Sequence, residues 1–187
     1  MLELKGLKKL FKGITVLNGV DISIKQGTKI GLSGGNGTGK STLLNIATGF
    51  LTPEEGAIIL NGDNITHFEA WKFARLGIKR TFQKVRFNEA LILKEQLYTS
   101  DEMIKRNLDM LKDAGLIDYL YAFPNEVPLP ILRKVEVIRA LLECPRYLFL
   151  DEPSAGMAAT DLHEFGEFLK EHIDTDTCLV VVEHRME

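Results

Sequence analysis

Short apolar runs alternate along the chain with longer stretches in which apolar residues recur every three or four positions. The short runs predict strands at residues 2–4, 20–24, 29–32, 57–60, 147–150 and 178–182. The last two are continuously apolar rather than alternating, as strands are when helices cover both faces of a parallel sheet. Helical spacing predicts helices at 40–48, 69–76, 101–114, 131–143 and 161–172, with Ile104, Leu108 and Leu111 on one stripe of the third. The alternation predicts an α/β fold with a mostly parallel core sheet flanked by helices. Between about Val85 and Asn125 the pattern is helical without a strong strand, so a helical lobe inserted into the α/β core is expected there. There is no internal repeat, low-complexity segment or Gly/Ser linker.

The chain has 187 residues, 45% hydrophobic and 26% charged, enough for one well-buried core and a single domain with lobes. A formal net charge of −3 lacks the basic excess of a nucleic-acid-binding surface, and no nucleic-acid partner is expected. Lys5, Lys8, Lys9 and Lys12 interleave with Leu7, Leu10 and Phe11, which reads as a solvated strand face rather than a basic tail. Cys144 and Cys178 lie in apolar stretches without metal-ligand spacing and read as buried small hydrophobes, consistent with a reducing cytosol. No apolar run is long enough to cross a bilayer, and the sequence opens without a signal-peptide pattern. A membrane role would have to run through a partner chain.

The most specific chemical signal is Gly34-Gly35-Asn36-Gly37-Thr38-Gly39-Lys40-Ser41, which satisfies G-x-x-x-x-G-K-[ST] between an expected strand and an expected helix. Glycines let the backbone close into a nest of N–H groups facing phosphate oxygens. The following helix adds the positive end of its dipole. Lys40 then reaches the β- and γ-phosphates, and Ser41 offers its hydroxyl to Mg²⁺. A second signal is Tyr147-Leu148-Phe149-Leu150-Asp151-Glu152-Pro153, an apolar strand ending in two acids. Alone, that is a common strand end. Beside a phosphate loop, Asp151 is placed to hold Mg²⁺ and Glu152 to orient or deprotonate the attacking water.

The order of phosphate loop, glutamine, Arg133-Lys134-Val135-Glu136-Val137-Ile138-Arg139-Ala140-Leu141, strand-Asp-Glu-Pro and a strand ending in histidine resembles the ABC ATPases over essentially the whole chain. The resemblance implies a P-loop NTPase cassette with an antiparallel β lobe and a helical lobe at about 85–130. It implies that Thr81-Phe82-Gln83 is a Q-loop, in which Gln83 senses Mg²⁺ or the γ-phosphate and couples to a membrane subunit. Val181-Val182-Glu183-His184 resembles the switch segment, with His184 on the γ-phosphate, and Phe11 stands where the family stacks an aromatic on adenine. The nucleotide contacts implied are Phe11, Gly34, Gly35, Asn36, Gly37, Thr38, Gly39, Lys40, Ser41 and Thr42. The catalytic set is Glu152, His184, Lys40 and Gln83, and the Mg²⁺ set is Ser41, Gln83 and Asp151. ATP and Mg²⁺ are the implied ligands. A second cassette and an integral membrane permease are the implied partners, which places the chain in the cytoplasm at the inner face of the membrane. Residues 74–87 and Asp151-Glu152-Pro153-Ser154-Ala155-Gly156-Met157 look like the branched-chain amino acid transporter ATPases. ATPases for urea and lipopolysaccharide export share this look, which leaves the cargo open.

The sequence departs from the family at the signature. Its five positions are Val127-Pro128-Leu129-Pro130-Ile131, where the family has Leu-Ser-Gly-Gly-Gln and the branched-chain group often Leu-Pro-Tyr-Gly-Gln. Pro130 removes an N–H and Ile131 an amide, and Ala158 replaces a frequent D-loop Asp or Asn. Relatives continue beyond the switch histidine, so the C-terminal part of the usual cassette is expected to be absent from this sequence. The main reading is the ATP-hydrolysing motor of a transporter. Beside it stand a weakly hydrolysing partner cassette in an asymmetric heterodimer and a soluble cassette protein of translation or DNA repair. Against the last stand the lack of a tandem cassette, a coiled coil or a basic surface.

Overall fold

The computed structural model describes residues 1–97 and 100–183. They fall into two compact units. One is Met1–Arg80 with Pro145–Glu152 and the chain from Thr175 onward; the other is Thr81–Cys144 with Pro153–Asp174. In chain order the first unit carries β1 (Leu2–Phe11), β2 (Ile14–Ile24), β3 (Lys29–Ser33), α1 (Lys40–Ala47), β4 (Glu55–Leu60), β5 (Asp63–Asn64), α2 (Ala70–Arg75), β6 (Ile78–Arg80), β7 (Tyr147–Asp151) and β8 (Cys178–Glu183). The second carries α3 (Leu93–Gln96), α4 (Asp101–Arg106), α5 (Leu108–Asp113), α6 (Leu129–Leu141), α7 (Ala159–His172) and 3-10 turns at Ile117–Tyr119 and Pro124–Glu126.

The first unit holds two sheets. One is antiparallel in the order β2-β1-β4-β5; the other is parallel in the order β3-β8-β7-β6. The α/β architecture expected from the alternation is therefore present. β1 runs well past the three residues that alternation predicts. The register slips between Leu4 and Leu7, where Gly6 takes φ +58, so Leu2 and Leu4 are buried on one phase and Leu7 on the other. A bulge of this kind erases the period-two signal without ending the strand. β5 and β6 were not foreseen: each has two or three residues, and Lys79 and Arg80 give β6 no apolar pattern.

One apolar core serves both sheets of this unit. Leu2, Leu4, Ile24 and Ile58 meet Leu43, Leu44 and Ile46 of α1 and Phe149, Val180 and Val182 of the parallel strands. Each such side chain contributes roughly 1.5–3 kcal/mol on burial. The core fixes where α1 starts relative to the ends of β7 and β8.

In the second unit the helix expected over 101–114 is two helices. Asn107 is their shared cap at φ −110, and its Nδ2 donates to the Met103 carbonyl at 2.9 Å. A side-chain amide that bonds the carbonyl four residues back interrupts the helical ladder. α6 starts at Leu129, two residues before apolar spacing predicts, with Pro128 as N-cap and Pro130 in the first turn. Proline is tolerated there because first-turn N–H groups have no intrahelical acceptor. Cys144 is exposed rather than buried. It follows α6 at φ +49, its N–H closing a turn onto the Leu141 carbonyl at 2.9 Å. Cys178 is buried as expected. Among the described residues no helix is long and apolar enough to cross a membrane.

Candidate functional site

The glycine-rich segment joins the end of β3 to the start of α1. Gly39 is the N-cap of α1 at φ +92, a left-handed conformation that favours glycine. It also lies flat against β2: a Cβ there would meet Leu17 Cδ2 at 2.9 Å and the Val16 carbonyl oxygen at 3.0 Å. The loop folds on itself, Thr38 Oγ1 donating to Gly35 O at 2.9 Å. Lys40 Nζ turns back over it and donates to Gly34 O at 2.5 Å and Gly35 O at 2.9 Å. An ammonium so placed sits over the same loop as the backbone amides. The first turn of α1 carries no acidic residue and no side-chain cap, so its positive end is not neutralised locally. Gly35, Asn36, Gly37, Thr38 and Ser41 are exposed, which leaves the loop open to a ligand.

Asp151 closes β7, and β8 separates β7 from β3 in the parallel sheet, with Asp151 opposite Val182 and Ser33 opposite Glu183. The carboxylate pair and the glycine loop thus leave the same edge of one parallel sheet, where ligands gather in open α/β folds. Asp151 is buried. Its Oδ2 accepts from Arg80 Nη2 at 2.9 Å, whereas its Oδ1 is buried with no hydrogen-bond partner. Burial pushes the Asp151 carboxyl above the ordinary aspartate range. Arg80 pulls it down, and the neighbouring Glu152 adds to the rise. A buried carboxylate oxygen without a donor is costly in isolation and is satisfied by a cation. Oxygen donors are also what Mg²⁺ takes, so this site fits that ion. Glu152 is 7% exposed and takes φ +47, rare for a side-chain-bearing residue, with its N–H on the Val182 carbonyl at 2.9 Å. Backbone strain of this kind concentrates at functional positions.

Arg80 is the site residue that sequence reasoning missed. Its guanidinium reaches Asp151, Asn45 Oδ1 at 2.6 Å and Thr48 Oγ1 at 3.3 Å, and lies over the Phe50 ring at 5.3 Å. It connects the end of β7 to the helix that bears Lys40. The available signal is one of two adjacent cations, Lys79 and Arg80, shortly before Gln83. Phe11 ends β1 opposite Ile14 of β2, on the hairpin whose Val16 and Leu17 touch Gly39. Phe11 and Ile14 are both exposed, Ile14 at 70%, so the hairpin offers an uncovered apolar tip. Ile14 was also not foreseen.

Gln83 belongs to the second unit and is described within it. Arg133 of α6 donates to the carbonyls of Phe82, at 3.0 Å, and Gln83, at 2.6 Å. Burial pushes the Glu136 carboxyl up to about 7, against the pull of Arg133 and a hydrogen bond from the Arg86 backbone. At the signature positions, Leu129 lies against Gly156, where a Cβ would come within 2.9 Å of its Cδ2, and Ile131 lies against Gly115. These side chains pack within their own unit. His184 lies outside the described residues.

A family model described as ABC transporter matches residues 17–155. The chain is 27% identical over 210 residues to the high-affinity branched-chain amino acid transport ATP-binding protein LivG of Escherichia coli (strain K12), covering 100% of this chain and 82% of that protein. It is 29% identical over 207 residues to a probable branched-chain amino acid transport ATP-binding protein LivG of Archaeoglobus fulgidus, covering 100% and 80%. Among solved structures it resembles the ADP conformation of MJ1267, an ATP-binding cassette of an ABC transporter, with TM-score 0.88 and 28% identity over 100% of this chain and 82% of that one. It also resembles the dimeric bacterial ABC transporter cassette MJ0796, with TM-score 0.86 and 25% identity over 99% and 88%.

Proposed function

The chain belongs to the ABC transporter family of ATP-binding cassettes, and from that premise we propose that it hydrolyses ATP to drive a transporter of the branched-chain amino acid type. The observation that supports this best is the shared edge of the parallel sheet, where the Lys40 loop and the Asp151–Glu152 pair emerge on either side of β8. Lys40 and the loop amides bind phosphate oxygens, and Gly34 through Thr42 form the cradle. Phe11, on the exposed hairpin tip, stacks on the adenine. Ser41, Gln83 and Asp151 would hold Mg²⁺, which supplies charge neutralisation on the phosphates when bound. Glu152 takes a proton from the attacking water as its oxygen bonds to the γ-phosphorus and the bond to the ADP oxygen breaks. His184 steadies the γ-phosphate.

Coupling would run through the Gln83 segment to a permease subunit, with a second cassette as dimer partner. The chain would then act on the cytoplasmic side of the membrane, attached through that permease. The alternative of a weakly hydrolysing partner cassette is not favoured, since the relatives reported above are named as transport cassettes. The test is Glu152→Gln in steady-state ATP hydrolysis. Turnover should fall by about 10² or more with nucleotide affinity retained, the scale of one general-base contribution. Parental turnover in this variant would take the role away from Glu152.

A further inference from the structure

Residues 82–86 carry no regular secondary structure, so their backbone groups need partners from elsewhere. α6 supplies them from two side chains one turn apart. Arg133 Nη1 and Nη2 donate to the Phe82 and Gln83 carbonyls at 3.0 and 2.6 Å, and the Glu136 carboxylate accepts a hydrogen bond from the Arg86 backbone. Both ends of the segment are therefore gripped by the same helix. Arg133 and Glu136 are 5% and 9% exposed. Their mutual contact is poor: one approach of 3.4 Å, with Arg133 Nε buried and without a partner. A pair selected for its own stability would be bidentate, and buried ion pairs are seldom better than apolar packing. Here the guanidinium spends both terminal nitrogens on loop carbonyls instead. Arg133 also lies two residues after Ile131, the last of the five signature positions.

Resting on the ATPase reading, we propose that Arg133 is a positioning residue that fixes Gln83 to α6, so that the Gln83 segment and the signature segment move as one body. Glu136 completes the grip at Arg86 and keeps the segment from swinging about Arg133 alone.

The test uses the full chain with Arg133→Ala and Arg133→Lys. Amide hydrogen exchange over 82–88 should rise about tenfold in Arg133→Ala, the scale of one lost charged hydrogen bond, with α1 and β7 unchanged. In steady-state ATP hydrolysis kcat should fall about fivefold or more, with the KM for ATP within about twofold of the parent. Arg133→Lys, which reaches one carbonyl, should recover part of both losses. Unchanged exchange over 82–88 together with unchanged kcat overturns the proposal, as does a loss confined to KM. If Arg133→Ala does not fold, Arg133→Lys gives the same two readings at a smaller size relative to the parent. If the parent chain hydrolyses no ATP, the ATPase reading fails and exchange alone decides whether the clamp exists.

Discussion

Arg80 Nη2 lies 2.9 Å from Asp151 Oδ2, with the two side chains only 6% and 7% exposed. The pair follows from register. β6 runs parallel to β7 with Arg80 opposite Phe149, two residues short of Asp151, so a long side chain reaches the strand end. The same guanidinium holds Asn45 and Thr48 near the end of α1. Arg80 therefore both neutralises Asp151 and ties it to the helix that starts at Lys40. Arg80→Ala leaves a buried carboxylate without its counter-charge and should destabilise the chain by about 3–5 kcal/mol in urea unfolding. Arg80→Lys keeps the charge but not the fork, and should lose less. A loss below about 1 kcal/mol in Arg80→Ala would contradict the buried-pair account.

Glu136 sets a pH dependence of opposite sense to the usual carboxylate. Its pKa is raised by burial from 4.5 to about 7, so the folded chain binds its proton more tightly than the unfolded chain does. Its contribution to stability, on the order of 3 kcal/mol, is then fully present below about pH 4.5 and is lost as pH rises through about 7. Glu136→Gln removes this dependence. Unfolding of the variant and the parent across pH 5 to 8 should show a relative gain for the variant that grows with pH and levels off above about 7. A constant difference across that range would mean that Glu136 does not titrate there.

Pro130 reads in sequence as damage to the signature, yet it occupies the first turn of α6, where no N–H is required of it. Its fixed φ suits the helix start and restricts the unfolded chain. Pro130→Gly should therefore lower stability by roughly 0.4–1 kcal/mol. A more stable glycine variant would show that the proline strains the helix.

Much of the fold was legible because β7 and β8 are continuous apolar runs and most of the helices hold a clear period. β7 and β8 were placed to within a residue, and α1 followed from the glycine loop. What escaped had local causes. The bulge at Gly6 broke the alternation of β1, Asn107 cut a well-patterned helix, and β6 was too short and too charged to register. At the site, the loop and the two acids were visible as motifs because phosphate chemistry fixes their order in sequence. Arg80 and Arg133 were not, since each acts across 71 or about 50 residues of chain on partners that only folding supplies.

The 34–42 loop should bind a nucleoside triphosphate through Lys40. Calorimetric titration of the full chain with ATP and Mg²⁺ tests it most directly, comparing the parent with Lys40→Ala. The parent should bind one nucleotide per chain. The variant should remain folded and bind about 30-fold more weakly or worse, as expected when about 2 kcal/mol of charge-assisted phosphate contact is lost. A folded Lys40→Ala variant with the parent's affinity, or a parent that binds no ATP, would contradict the account.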